Sequence, residues 1–153
     1  MESNEIIIKQ VTTFSPELAD GIRALVQQLG KNASPLTDED LRELIQSPAS
    51  FLFIAQDSVT KQIAGMIFLA VYRIPYTQKA YLDDLIVDEA FRKQGIAKRL
   101  FQHAIDKAKE HNASYIDFTS RPRRSAGNLL YEKLGFQKRE TNVYRLPIMY
   151  DEV

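Results

Sequence analysis

Residues 80–101, AYLDDLIVDEAFRKQGIAKRLF, decide how the rest of the chain is read. Residues 81–87 are rich in β-branched and large apolar side chains and read as a strand, and Asp88-Glu89-Ala90-Phe91 breaks that pattern. A small-residue turn, Gln94-Gly95-Ile96-Ala97, then opens a helix whose apolar positions Ala97, Leu100, Phe101, Ala104, Ile105 and Ala108 recur at helical spacing as one stripe. A strand that feeds a glycine turn into a helix leaves backbone N–H groups without partners at the positive end of the helix dipole. Such a turn suits anions, phosphates above all. Gly95 has no Cβ to hold a ligand away, and Arg92, Lys93 and Lys98 add positive charge, so a pyrophosphate fits. Glycines also open many helices for packing reasons alone, and the turn by itself leaves both readings open.

Its surroundings narrow the choice. Arg92-Lys93-Gln94-Gly95-Ile96-Ala97 fits the pattern Arg/Gln-x-x-Gly-x-Gly/Ala, and the strand before it ends in Leu85-Ile86-Val87-Asp88. Together they resemble motif A, the acetyl-CoA-binding signature of the GNAT superfamily of N-acetyltransferases. Further on, Asn128-Leu129-Leu130-Tyr131-Glu132-Lys133-Leu134-Gly135-Phe136 is similar to a second signature of that family, Asn-x-x-Tyr-x-x-x-Gly-Phe.

Composition sets the outer bounds. A chain of 153 residues is expected to form one domain, residues 1–153, burying roughly two thirds of its unfolded surface. With no cysteine there is no disulfide, thiol nucleophile or thiolate metal site, and two histidines make a zinc site a poor expectation. Twenty basic and twenty acidic residues cancel, so no global field draws nucleic acid or an anionic membrane. The start, MESNEIIIKQ, lacks the basic region and apolar run of a signal peptide, and no apolar run approaches a membrane span. A soluble, cytoplasmic protein without a nucleic-acid or membrane partner is the expectation.

In chain order, residues 6–11 read as a strand. Ser15-Pro16-Glu17 supplies a cap, a proline at the first helical position and an acidic first turn, followed by Leu18, Ile22, Leu25, Val26 and Leu29 on one face and Gly30 as the stop. Residues 31–35 read as a loop, and Thr37 caps a second helix carrying Leu41, Leu44 and Ile45 that ends before Pro48. Residues 51–55 and 63–72 are strands of an antiparallel hairpin, and residues 74–78 turn the chain into the strand at 81–87. After the long helix, residues 115–118 form a short strand that a helical crossover makes parallel to residues 82–87. A helix over about residues 125–134 stops at Gly135, and residues 136–139 and 143–148 make a final hairpin.

The order β α α β β β α β α β β is the GNAT order. The resemblance implies an α+β fold with a mixed, mostly antiparallel seven-stranded sheet flanked by about four helices. It also implies a splayed central parallel strand pair, with the pantetheine arm of acetyl-CoA between the two strands. Backbone amides of Gln94, Gly95, Ile96 and Ala97, with Arg92, Lys93 and Lys98, would hold the pyrophosphate. Main-chain groups of Leu85, Ile86 and Val87 would meet the pantetheine and the acetyl carbonyl. Asn128 would contact the CoA arm and the Tyr131 hydroxyl would reach the sulfur. Relatives often dimerise through C-terminal strands, and the apolar run at residues 143–150 permits a homodimer.

On their own chemistry, the remaining candidates stand as follows. A phenol of pKa about 10 can hydrogen-bond or protonate a thiolate of pKa about 8.5, which suits Tyr131 to the role of general acid; a half-buried aromatic on a core helix is the alternative. Asp83 and Asp84 are adjacent in a strand, so at most one faces a common cleft unless a bulge re-aims the other. Two aspartates in succession are unusual in a strand. They sit where relatives carry an acidic residue that orients the acceptor amine or its water, and an edge aspartate paired with an arginine is the other reading. A primary amine of pKa about 10.4 is only about 0.04% neutral at pH 7, equivalent to about 4.6 kcal/mol, so accepting its proton is part of the task.

Arg121-Pro122-Arg123-Arg124 reads as a solvated loop, with contact to the 3′-phosphate of CoA, contact to an acidic substrate or a nucleic-acid patch as alternatives. Tyr72, Tyr76 and Tyr81 either line the acceptor cleft or are ordinary strand aromatics. His103 and His111 carry no catalytic expectation. The reading is an N-acetyltransferase moving the acetyl group of acetyl-CoA to a small-molecule or protein amine by direct attack in a ternary complex, without a metal or a covalent acyl-enzyme. A non-catalytic acyl-CoA-binding module of the same fold is the alternative.

Overall fold

The computed structural model describes residues 5–29, 35–122 and 125–151. They fall into two compact units, Met1–Thr119 and Ser120–Val153. In the first unit, β1 (Ile6–Gln10), β2 (Ser50–Asp57), β3 (Ile63–Ile74), β4 (Thr77–Val87) and β5 (Ile116–Asp117) make one sheet in sequential order. All neighbours are antiparallel except β4 and β5, which are parallel. Helices α1 (Pro16–Val26) and α2 (Asp38–Gln46) precede β2, and α3 (Ile96–Glu110) makes the crossover.

Helix ends follow the local chemistry. Ser15 Oγ accepts the Leu18 N–H at 3.1 Å with Pro16 in the first turn, and Thr37 and Asp40 exchange hydrogen bonds in a capping box. Helix α1 passes into a short 3-10 turn, Gln27–Leu29, in which Leu29, expected on the apolar face, is exposed instead; the expected stop at Gly30 and the loop at 31–34 lie outside the described residues.

Helices cover both faces of the sheet. Leu52 and Ile54 of β2 and Met66 of β3 cluster with Ala19, Ile22, Leu25 and Leu41 of the first two helices. Phe51 and Phe53 point the other way, their rings 4.8 and 6.3 Å from those of His111 and His103 at α3. Strands buried on both sides read as continuous apolar runs, which is the pattern of β2 and β3.

Two irregularities in β4 shape its C-terminal half. The ladder with β3 slips, Met66 pairing with Ile86 but Phe68 with Asp83, so Asp84 and Leu85 stand opposite Ile67 alone. Asp84 takes φ 54°, the left-handed backbone of a bulge. The extra residue reverses the alternation beyond it. Leu82 and Ile86, four apart, are therefore both buried but on opposite faces, against Leu69 and Met66 respectively.

The second irregularity is the pairing with β5. It covers Ala80↔Ile116 and Tyr81↔Asp117, not residues 82–87 as the sequence suggested. Phe118 turns its ring to within 5.7 Å of Phe101 on α3 instead of extending the ladder. β4 thus runs on to Val87 after β5 has ended.

In the second unit, α4 (Ser125–Lys133) ends in a Schellman motif: Phe136 N–H reaches Tyr131 O, and Gly135, at φ 96°, sends its N–H to Glu132 O, both at 3.0 Å. The expected strands at 136–139 and 143–148 do not form. Residues 136–151 carry no regular element, so the described sheet has five strands rather than seven. A strand needs a neighbour for its backbone and cover for its apolar side chains, and Val143, Tyr144, Leu146, Ile148 and Met149 are 64–88% exposed. Leu129 of α4 is also exposed, while Leu130 and Leu134 are half-buried.

Candidate active site

The turn between β4 and α3 is built to expose its amides. Asp88 accepts the Ala90 N–H at 2.9 Å and caps a 3-10 turn at Glu89–Phe91. Lys93 at φ 65° and Gly95 at φ 73° are both left-handed, with Gln94 between them. Left-handed residues in such alternation fold successive N–H groups into a concave anion nest. Gly95 is the N-cap of α3 and no side chain caps that end, so the first-turn amides keep their donors for a ligand.

A Cβ built on Gly95 meets nothing within 4 Å, so the corner is open, and glycine is favoured there because its backbone angle would strain most side chains. Arg92, Lys93, Gln94 and Lys98 are exposed around it. Ile96 is buried and Ala97 half-buried, so these two offer main-chain groups alone. Beneath them Gly65 has no room for a side chain: a Cβ would stand 2.8 Å from the Ile86 carbonyl oxygen and 3.5 Å from the Ile96 side chain.

The bulge does for the acidic pair what strict alternation would forbid. Asp83, paired with Phe68, takes the face that α1 and α2 cover, and the adjoining Asp84 is re-aimed by its left-handed backbone. Both stay exposed enough to meet a solute. Withdrawal from water nevertheless pushes both carboxyls above the usual aspartate range, and the charge on Asp84 raises Asp83 further. Two carboxylates poised this way accept protons more readily than ordinary surface aspartates. Main-chain groups of Leu85, Ile86 and Val87 lie just beyond, past the point where β5 stops.

In the second unit, Asn128 and Tyr131 lie three apart on α4 and both are half-buried. Asn128 Oδ1 accepts from Ser120 Oγ at 2.9 Å, which fixes the amide orientation. Tyr131 has its carbonyl in the Schellman motif, so the backbone under the phenol is held at the helix end.

Sequence reasoning left one feature open and missed two. A bulge was one way to re-aim an aspartate of the pair, but that Asp84 is the bulged residue, and the register, were not signalled. Lys79 was overlooked: its Nζ lies 3.6 Å from Asp117 Oδ2 and 5.6 and 5.4 Å from the ring centroids of Tyr72 and Tyr115. The aromatic face of Tyr72 therefore already holds a cation of this chain, which supports the plain strand reading of that residue. The contact from Gln28 Nε2 to Asp88 Oδ2, 3.3 Å, ties the end of the first helix to the phosphate turn with no local signal. His103 is exposed and His111 caps α3, while Arg123 and Arg124 lie outside the described residues. Among the described residues no group of three or more histidines and carboxylates could hold a metal, and no helix is long and apolar enough to cross a membrane.

The model of the acetyltransferase (GNAT) family matches residues 22–136. Among solved structures, an aminoglycoside acetyltransferase from an uncultured soil metagenomic sample, in complex with sisomicin, superposes with a TM-score of 0.80 at 19% identity, over 95% of this chain and 97% of that one. Glucosamine-6-phosphate N-acetyltransferase from Arabidopsis thaliana gives 0.77 at 16% identity, over 92% and 98%. An aminoglycoside N-acetyltransferase in complex with CoA gives 0.77 at 17% identity, over 95% and 97%. At these identities the likeness is one of fold. No curated protein matches the chain at a significant level.

Proposed function

The chain belongs to the acetyltransferase (GNAT) family, and on that footing we propose that it transfers the acetyl group of acetyl-CoA to a primary amine by direct attack. The observation that carries this reading is the open, uncapped N-terminus of α3, entered through two left-handed residues and ringed by Arg92, Lys93 and Lys98. Acetyl-CoA supplies the activated acyl group. Amides of residues 94–97 bind the pyrophosphate, and those of Leu85, Ile86 and Val87 orient and polarise the acetyl carbonyl. Asn128 positions the CoA arm.

Asp83 and Asp84 hold the ammonium of the acceptor and take its proton through water, a task that their raised values favour. Tyr131 Oη returns a proton to the departing sulfur. The exposed apolar side chains of residues 143–150 support pairing with a second copy of the chain.

Calorimetry with acetyl-CoA tests the binding half: micromolar affinity is expected, and no heat of binding would end the reading. Release of free CoA with sisomicin, spermidine, lysine and glucosamine 6-phosphate as acceptors tests the transfer half. Binding of acetyl-CoA without CoA release on any primary amine would leave an acyl-CoA-binding module.

A further inference from the structure

Helix α4 contains a glycine, Gly127, one turn before Tyr131, at a position where glycine weakens a helix relative to alanine. Neither the Schellman end nor any positive φ at this residue calls for glycine; the left-handed glycines among the described residues are Gly95 and Gly135. What fills the space of its missing side chain is the Tyr131 ring. A Cβ on Gly127 would lie 3.1 Å from the phenolic oxygen, 3.4 Å from Cζ and 3.7 Å from Cε2. The phenol thus folds back along its own helix, as side chains four apart do, and its hydroxyl rests where residue 127 has no atoms.

We propose that Gly127 is a positioning residue for the Tyr131 hydroxyl: its bare backbone is the seat that sets the angle of the phenol, and the helix gives up stability to provide it. The inference rests on the catalytic reading of Tyr131 above. An added methyl group at 3.1 Å from oxygen must push the hydroxyl aside by a few tenths of an ångström. Because the Schellman motif holds the Tyr131 backbone, the displacement falls on the side-chain torsions. The Cζ contact at 3.4 Å is an ordinary one, so the conflict is with the oxygen. Proton transfer is sensitive to such displacements, whereas binding of the CoA pyrophosphate at residues 94–97 is not.

The test needs no acceptor amine. The protein is labelled with tyrosine carrying 13C at Cζ, the Tyr131 resonance among the seven tyrosines is assigned by its loss in Tyr131→Phe, and CoA is titrated at neutral pH. In the wild-type chain the Tyr131 resonance is expected to move as the phenol meets the sulfur. In Gly127→Ala the movement is expected to be less than half as large, with unchanged CoA affinity by calorimetry and a melting temperature raised by about 1–3 °C. A full wild-type movement in Gly127→Ala, a weakened CoA affinity or a lowered melting temperature would overturn the positioning role while leaving Tyr131 in place. If CoA binds but the wild-type Tyr131 resonance stays still, the catalytic reading of Tyr131 fails first and takes this inference with it.

Discussion

At Asp84 a single backbone angle, φ 54°, converts an awkward pair of strand carboxylates into a usable one. Non-glycine residues pay of order 1 kcal/mol for that region, and bulges gather beside active sites. Withdrawal from water holds Asp83 and Asp84 above their unfolded values, so the folded chain takes up their protons more readily than the unfolded one. Their ionised forms therefore cost stability above the folded values, and that cost is relieved as the pH falls through them. Asp40, lowered by its bonds to Thr37, does the reverse: its contribution is present above the unfolded value and is lost as the pH falls through the folded one. We expect the acidic limb of kcat/KM to lie above the ordinary aspartate value of about 3.9, and Asp84→Asn to move it down by removing the charge that raises Asp83. An acidic limb indifferent to Asp84→Asn in a pH–rate profile would remove the pair from the chemistry. Tyr131→Phe should lower turnover by about tenfold or more with little change in CoA affinity, as loss of a general acid requires.

At the scale of elements, the approach of α3 to the end of β4 depends on Gly65. Its absent side chain lets the Ile86 carbonyl, Ile96 and Leu100 close over β3 directly under the phosphate turn. Gly65→Ala puts a methyl group 2.8 Å from a backbone oxygen, which cannot rotate away. A loss of about 1–3 kcal/mol in urea unfolding is expected, together with weakened acetyl-CoA binding, because the displaced elements carry the site. Retained stability and affinity would show that the two elements can part without cost. The caps of α1 and α2 and the Gly135 stop of α4 were legible because each depends on residues within one turn. The 3-10 turn after Asp88 and the slip between Met66 and Phe68 were not, since a ladder slip is decided by both strands and by what packs on each face.

For the whole molecule, the segment after α4 stands out. Val143, Tyr144, Leu146, Ile148, Met149 and Tyr150 form a run of apolar side chains left 64–88% exposed, which a soluble monomer seldom tolerates. Light scattering is expected to give a mass near twice the 17.5 kDa of the chain. Replacing Leu146 and Ile148 with serine should shift it towards the monomer. A monomeric wild-type protein at micromolar concentration would count against the proposed pairing.

The sequence by itself determined the helices and most of the strands, the glycine turn after β4 and the helix bearing Tyr131, because caps, periodicity and left-handed glycines act over a few residues. It could not tell that residues 136–150 would form no strand, that β5 would pair with Ala80 and Tyr81 alone, or that Asp84 rather than Asp83 would stand in the bulge. Those outcomes depend on which surfaces remain for a segment once the others have packed, and that competition is settled between residues far apart in the chain. The space beside Gly127 belongs with them: the glycine is visible in the sequence, but that its missing side chain seats the Tyr131 hydroxyl follows only from where the ring lies.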